Sequence, residues 1–273
     1  MRRPSSNRLT IIGDMSDILV LCYHAVSDRW PADLAVSPEQ LENQLRYLVR
    51  RGYRGATFTE ALTRPAKGRV LVVTFDDAFR SVLELAFPVL CRLGLSGTVF
   101  VPTAFAGSKQ PMSWPGIDHW TSTPHASELI PLSWDELREL AAEGWEVGSH
   151  SRTHPQLTQL DDSELDRELR DSREECEQRL VCPCTSFAYP YGDLDRRVVA
   201  AVGVAGYRVG AALDVRLHRP LRLEWPRFAV SREDSLARFR RQVSPVVRRV
   251  RASPAGPMVD SLYASLIGGL RHR

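Results

Sequence analysis

The sequence predicts an α/β fold built on a parallel sheet. Three observations carry this. Strand-like and helix-like segments alternate along the chain, and no internal repeat interrupts them. The strand-like runs are continuously apolar, as in Val70–Phe75 (VLVVTF), and do not alternate with polar residues. Such runs belong to strands covered on both faces. Unusual polar residues, among them Asp76, Asp77, His150, Tyr191 and His24, fall where those runs end. Strands alternating with helices of this length imply βαβ units. Right-handed crossovers then leave either a barrel or an open doubly wound sheet. In both, chemistry sits at the C-terminal ends of the strands.

The elements follow in order. Ile18–Cys22 is a short strand ending at Tyr23-His24. Leu41, Leu45 and Leu48 recur at helical spacing within Pro38–Arg51, which starts near a proline and is followed by Gly52. Val70–Phe75 is a strand, and Ala78–Leu93 an apolar helix stopped by Gly94. Gly97–Val101 is the next strand. Residues 104–131 form a long irregular segment rich in Gly, Pro and Ser; a loop of that length in a compact domain is usually functional or disordered. Ser133 with Glu136 forms a capping-box pattern that opens a helix ending at Gly144. Trp145–Gly148 leads into SHSRTHP. Asp161–Leu180 is a charged amphipathic helix, Ser186–Tyr189 a strand ending in PYG, Arg196–Val202 a helix and Tyr207–Ala211 strand-like.

The chain has 273 residues, 43% of them apolar and 25% charged, an ordinary balance for a globular protein. A formal net charge of +3 gives no electrostatic footprint for nucleic acid. No stretch approaches the roughly 18 apolar residues of a membrane span. Asp14 and Asp17 interrupt the short apolar pieces near the N-terminus, which argues against a secretory signal. The five cysteines, with Cys182 and Cys184 close together, show no zinc-ribbon spacing. Reduced thiols and a cytoplasmic location are the expectation.

The paired acids raise the chemical question. Neighbours in an extended chain point to opposite sides, so Asp76 and Asp77 need not share a role. Asp77 as a helix N-cap is the bland reading. His150 and His154 lie four apart, and on one helical turn both imidazoles would share a face suited to a divalent metal. Two surface histidines in a polar loop are the alternative. Two His and one carboxylate make a three-ligand set that leaves a position open for water and substrate. A second carboxylate beside the metal could act as base. The two acids then divide into one ligand and one base.

TFDD (Thr74–Asp77), HSRTH (His150–His154) and AYPYG (Ala188–Gly192) resemble, in order and spacing, the first three motifs of the polysaccharide deacetylase, or NodB-homology, family of carbohydrate esterases. The resemblance covers roughly residues 18–230. It implies a distorted (β/α)7-type barrel in a single domain spanning 17–235, with an N-terminal extension over 1–16 and an Arg-rich helical tail over 236–273. It implies a divalent metal, zinc first with cobalt, nickel or manganese as alternatives, and removal of N-acetyl groups from an amino sugar or glycan. By the resemblance Asp76 is the catalytic base, Asp77 the metal ligand with His150 and His154, and the Tyr191 backbone N–H a donor to the tetrahedral oxyanion, where preorganised donors matter most.

The chain departs from the family pattern at three points. The third motif usually carries an Arg that orients the base, and Ala188 stands there. Arg227, in EWPRFAV, could supply the guanidinium from a later strand; an ordinary surface arginine is the other reading. The usual late His that protonates the leaving amine has no counterpart, since after Arg227 only His272 remains. His24, in LCYHAV, is the preferred acid, because the branch resembling poly-N-acetylglucosamine deacetylases uses a His from such an early Tyr-His segment; His218 is a weaker candidate. The Asp that usually tunes that acid is not assignable.

Trp114, Trp120 and Met112 lie in the long loop before the metal histidines, where they could wall a sugar cleft or pack the loop down. The Arg-rich stretch Arg238–Arg251 and the mildly amphipathic end could place a basic tail on an anionic membrane; a solvated helix face is the plainer reading. Hydrolysis of another C–N amide, in a formamido sugar or cyclic ureide, and a weakly active carbohydrate-binding relative are the competing functions.

Overall fold

The computed structural model describes residues 17–64, 68–213 and 221–251. The expected N-terminal extension, His218, His272 and the end of the tail lie outside the described residues. In chain order the strands are β1 (Asp17–Tyr23), β2 (Ala25–Val26), β3 (Ala35–Val36), β4 (Arg54–Gly55), β5 (Arg69–Phe75), β6 (Gly97–Val101), β7 (Glu146–Ser149), β8 (Ser186–Ala188), β9 (Val209–Ala212), β10 (Trp225–Pro226) and β11 (Phe228–Ala229). The helices are α1 (Pro38–Val49), α2 (Phe58–Thr63), α3 (Phe87–Arg92), α4 (Trp134–Ala142), α5 (Asp162–Leu180), α6 (Arg196–Val204), α7 (Leu236–Gln242) and α8 (Pro245–Arg251).

The main sheet runs β10-β9-β8-β7-β6-β5-β1-β11, with β4 also on β5. Every pairing in it is parallel. Its two ends belong to one short segment. Trp225 pairs with Ala211 of β9 and Phe228 with Leu21 of β1, and a single residue, Arg227, separates β10 from β11. The sheet is therefore nearly closed as a barrel surrounded by helices, and of the two topologies left open by strand–helix alternation it is the barrel. The closing stave is pinched at Arg227, whose backbone N–H bonds to the Ala212 carbonyl.

Strand alternation sorts the side chains. On β5, Leu71, Val73 and Phe75 pack outward with helix residues such as Leu41, Leu45 and Leu137. Val70 and Val72 turn inward with Val20, Phe100, Ala188 and Ala211. Phe58, Ala61 and Leu62 of α2 join this interior cluster, and the Phe58 N–H donates to Thr98 Oγ1 at 2.9 Å. This helix plugs the end of the barrel opposite the polar residues. Fully burying Phe58 contributes roughly 2–3 kcal/mol.

Capping boxes fix two helix starts, the first of them as the sequence predicts. Ser133 and Glu136 form a reciprocal capping box on α4, and Asp161 with Glu164 another on α5. The helix expected over 78–93 begins later, with a π-helical turn at Val82–Ala86 running into α3. Two causes are visible. Asp77 and Ala78 have φ of 69° and 53°, outside helical conformation, and backbone bonds from Arg80 to Ile130 and from Leu132 to Ala78 tie this stretch to the long loop. Pro88 has no N–H to give, and the turn before it widens to accept the Phe87 N–H at Val82. The N-cap reading of Asp77 fails for the same reason.

The described part of the basic stretch is engaged with the protein. Arg248 bonds to Asp17 and to the Ile18 carbonyl, Arg238 pairs with Asp234, and Arg240 lies over the Tyr47 ring. No helix among the described residues is long and apolar enough to cross a membrane.

Candidate active site

Asp76 continues the inward row of β5. Val70, Val72 and Thr74 precede it at period two, and it is buried, only 1% exposed. The chain then enters left-handed conformation at Asp77 and Ala78, which costs about 1–2 kcal/mol per non-glycine residue. This turn carries Asp77 away from Asp76 and toward the histidines, so the adjacent carboxylates face different partners.

The partner of Asp76 is Arg227. Its Nη1 donates to Oδ1 at 2.7 Å and its Nη2 to Oδ2 at 2.8 Å, a bidentate clamp. Nη1 also reaches Thr74 Oγ1 at 3.0 Å, and the guanidinium lies 5.5 Å from the centre of the Phe100 ring. Cys22 Sγ lies 3.5 Å from Asp76 Oδ2. Burial pushes the Asp76 carboxyl upward, but Arg227 and then His150 outweigh it and hold the group at about 2. The surface-arginine reading of Arg227 is thus overturned: the residue is 4% exposed and sits in the barrel closure.

Asp77 faces the imidazoles. Its Oδ1 is 3.4 Å from His150 Nε2 and 3.3 Å from His154 Nε2. His150 directly follows β7. His154 arrives by a route the sequence reading missed. Residues 150–154 are not a helical turn; Ser151 and His154 have φ of 63° and 60°, and these left-handed steps fold the second histidine back beside the first. Glu168 of α5 supports the turn, accepting the Arg152 and Thr153 N–H groups at 2.8 Å each and the Thr153 hydroxyl at 2.7 Å. Burial raises Asp77, but both histidines oppose it and hold the carboxyl well below the usual range. Burial lowers His150, yet Asp76 and Asp77 bring it above its ordinary value, whereas burial prevails at His154 and lowers it.

This cluster fits a divalent cation. His150 Nδ1 lies 2.8 Å from the Ala188 carbonyl, which fixes Nδ1 as the protonated nitrogen and leaves the Nε2 lone pair facing Asp77. Asp77 Oδ1 is buried and accepts no hydrogen bond. Electron-rich atoms so close together repel unless a cation lies between them. A second group, Cys22, His24 and Asp76, also has its donor atoms within 4.8 Å of one another. There the Arg227 charge already compensates Asp76, and burial pushes the Cys22 thiol well above its ordinary value. Of the two groups, the one at Asp77 is therefore the better fit to a cation.

His24 follows β1 directly. A ring nitrogen of His24 lies within 4.8 Å of an Asp76 carboxylate oxygen, and its Nδ1 is buried without a hydrogen-bond partner. Tyr191, at φ 59°, brings its ring to 4.6 Å from His154 and is 40% exposed, a rim residue. Burial, with Asp77 and Asp118, pushes its hydroxyl up to about 12. Asp76, Asp77, His150, His154, Arg227, His24 and Tyr191 thus converge on one end of the barrel. Met112 and Trp114 of the long loop are buried, Trp114 stacked on His154 at 4.2 Å. Packing rather than an open sugar platform describes these two. Cys22 and Glu168 escaped the sequence reading. The inward register of Val20 and Cys22 on β1 carried a signal for the first, and nothing local marked the second.

The polysaccharide deacetylase family model matches residues 63–210, just over half of the chain. A relative from Bacillus subtilis strain 168, YxkH, provisionally assigned as a polysaccharide deacetylase, is 25% identical over 200 residues, 71% of this chain and 64% of its own length. The chain thus spans somewhat under two thirds of that relative. The poly-beta-1,6-N-acetyl-D-glucosamine N-deacetylase of Staphylococcus aureus strain MRSA252 is 23% identical over 211 residues, 72% of this chain and 68% of that one. Among solved structures, IcaB from Ammonifex degensii superposes with a TM-score of 0.67 at 24% identity, covering 84% of this chain and 97% of that one. That likeness supports the fold.

Proposed function

The chain belongs to the polysaccharide deacetylase family, and on that premise we propose that it is a metal-dependent hydrolase removing N-acetyl groups from amino sugars within a glycan. The observation that carries the proposal is the division of the two acids, Asp76 clamped by Arg227 and Asp77 turned to His150 and His154. The N-acetylglucosamine polymer named for the Staphylococcus aureus relative supports the acetyl group over a formyl group or a ureide.

Asp77, His150 and His154 would hold the cation, with zinc the first choice for two imidazoles and a carboxylate, and cobalt, nickel or manganese compatible. When bound, it supplies Lewis-acid polarisation of the amide carbonyl and an acidified water. The residues of the chain do the rest. Asp76, kept ionised by Arg227, takes a proton from the attacking water. The Tyr191 backbone N–H donates to the oxyanion that forms on the amide carbonyl. His24, protonated, gives its proton to the sugar nitrogen as the C–N bond breaks, so that acetate and a free amine leave. The test is acetate release from a panel of N-acetylated sugars and oligomers by the cation-loaded chain. Release from glucosamine-type amides supports the proposal. No release from any of them, with cleavage of formamido or ureide substrates, overturns it.

A further inference from the structure

We propose that Trp114 is a positioning residue for the metal centre. Its indole stack on His154 does for that ligand what a hydrogen bond does for His150, and it couples the 104–131 loop to cation binding. This inference rests on the Asp77–His150–His154 reading above.

The two imidazoles are held differently. His150 is oriented by its Nδ1 contact with the Ala188 carbonyl, the usual device by which a metal-binding imidazole is fixed. His154 Nδ1 is buried and has no hydrogen-bond partner. The terminal torsion of a histidine is broad, so a ring without a hydrogen bond would swing. This ring nonetheless points Nε2 at Asp77 Oδ1, 3.3 Å away.

Aromatic packing accounts for that. The Trp114 ring lies nearly parallel to His154, with centroids 4.2 Å apart and an interplanar angle of 21°. Tyr191 meets the same imidazole edge-on at 67°. Trp114 is itself held in place. Phe105 packs edge-on against it at 5.2 Å, and it belongs to a buried cluster with Trp30, Phe79, Met112 and Leu129. At 7% exposure its engaged face is closed to a sugar ring. Tyr191, at 40% exposure, is the less constrained of the two neighbours. Below the ring, Glu168 fixes the backbone of the turn, and Ser151 Oγ accepts the His154 N–H at 3.0 Å. The backbone is thus set by hydrogen bonds, and the ring plane by Trp114.

Coupling follows from reciprocity. Whatever the stack adds to cation affinity, the cation adds to the docking of the loop that carries Trp114. The backbone hydrogen bonds nearest Trp114 stay within the loop, Met112 bonding to Leu129 and Ile117 and Asp118 to the Trp114 carbonyl, while side-chain packing on Trp30 and Phe79 ties the loop to the barrel.

The test uses the full chain stripped with a chelator and titrated with zinc against a chromophoric competitor. Trp114→Leu is expected to lose roughly 10–100-fold in zinc affinity, the usual cost of removing a ligand's orienting partner. Trp114→Phe, which keeps a smaller stacking face, should fall between the two. A second readout is proteolysis. The sequence holds two lysines, Lys67 and Lys109, and zinc should slow lysyl endopeptidase cleavage after Lys109 in the wild type and not in Trp114→Leu. Zinc affinity of Trp114→Leu within twofold of wild type, with a cooperative melt showing it folded, overturns the inference. If that variant does not fold, equal affinity in Trp114→Phe together with unprotected Lys109 in the zinc-loaded wild type overturns it. A wild type that binds no cation overturns the metal-site reading itself, a result separable from a wild type and variant that bind alike.

Discussion

Replacing Arg227 by methionine isolates what the clamp on Asp76 does. The substitution keeps the length of the side chain and removes the charge and both hydrogen bonds, at 2.7 and 2.8 Å, from a carboxylate that is 1% exposed. Breaking a buried pair by deleting one partner typically costs about 3–5 kcal/mol, because the remaining charge is left uncompensated. That amount corresponds to roughly 2–4 pH units in the affinity of Asp76 for its proton, which moves the carboxyl upward from about 2. The sign with pH follows. In the wild type the depressed Asp76 contributes stability above its unfolded pKa, and this is lost as pH falls toward 2. In the variant Asp76 carries a penalty when ionised, and protonation relieves it. The stability gap between the two is therefore largest near neutral pH and narrows as pH falls through roughly 6 to 4, where the variant carboxyl takes up its proton, and on toward 2. Urea denaturation of the chelator-treated proteins at pH 7 and pH 4 measures it. Turnover at pH 7 should fall on the order of 10²-fold or more from loss of orientation. Arg227→Lys should recover part of the stability but little of the turnover, because an ammonium restores charge without the fork. A gap that stays constant from pH 7 to pH 4, or a variant with near wild-type turnover, would refute this account of Asp76.

Other consequences are also measurable. Gly148→Ala places a Cβ 2.4 Å from Ser186 Oγ and 2.6 Å from the Phe100 ring, so about 1–3 kcal/mol of overpacking should appear as a lower melting temperature. His24→Ala should lose about 10²–10⁴ in turnover of N-acetyl sugars and much less on an acetyl ester of a nitrophenol, whose leaving group needs no proton; equal losses on both would remove His24 from the acid role. Glu168→Ala orphans the Arg152 and Thr153 N–H groups, at about 1–3 kcal/mol for each donor left unsatisfied, and should lower both the melting temperature and zinc affinity.

The parts of this molecule legible in sequence are those decided locally. Apolar runs such as VLVVTF became strands because period and composition agree, and Ser133 with Glu136 capped α4 because the pattern is a contact between near neighbours. Four-residue spacing predicts that His150 and His154 meet on a helical turn; they do meet, but left-handed steps at Ser151 and His154 bring them together. The start of the helix after Asp77 was misplaced because bonds to Ile130 and Leu132, about fifty residues away, decide it. Arg227 shows the limit most clearly. Its burial depends on Asp76, 151 residues distant, and on two-residue strands at the barrel closure that no periodicity announces. The motifs could name it as a candidate, and only the fold could separate a clamp from a surface charge.

The central claim is that Asp77 belongs to the cation and Asp76 to the water. Zinc content and acetate release, measured side by side for Asp76→Asn and Asp77→Asn, test it most directly. The account predicts that Asp76→Asn keeps its zinc and loses turnover by about 10²–10⁴, and that Asp77→Asn loses both zinc and turnover. Zinc lost from Asp76→Asn and retained by Asp77→Asn would contradict it.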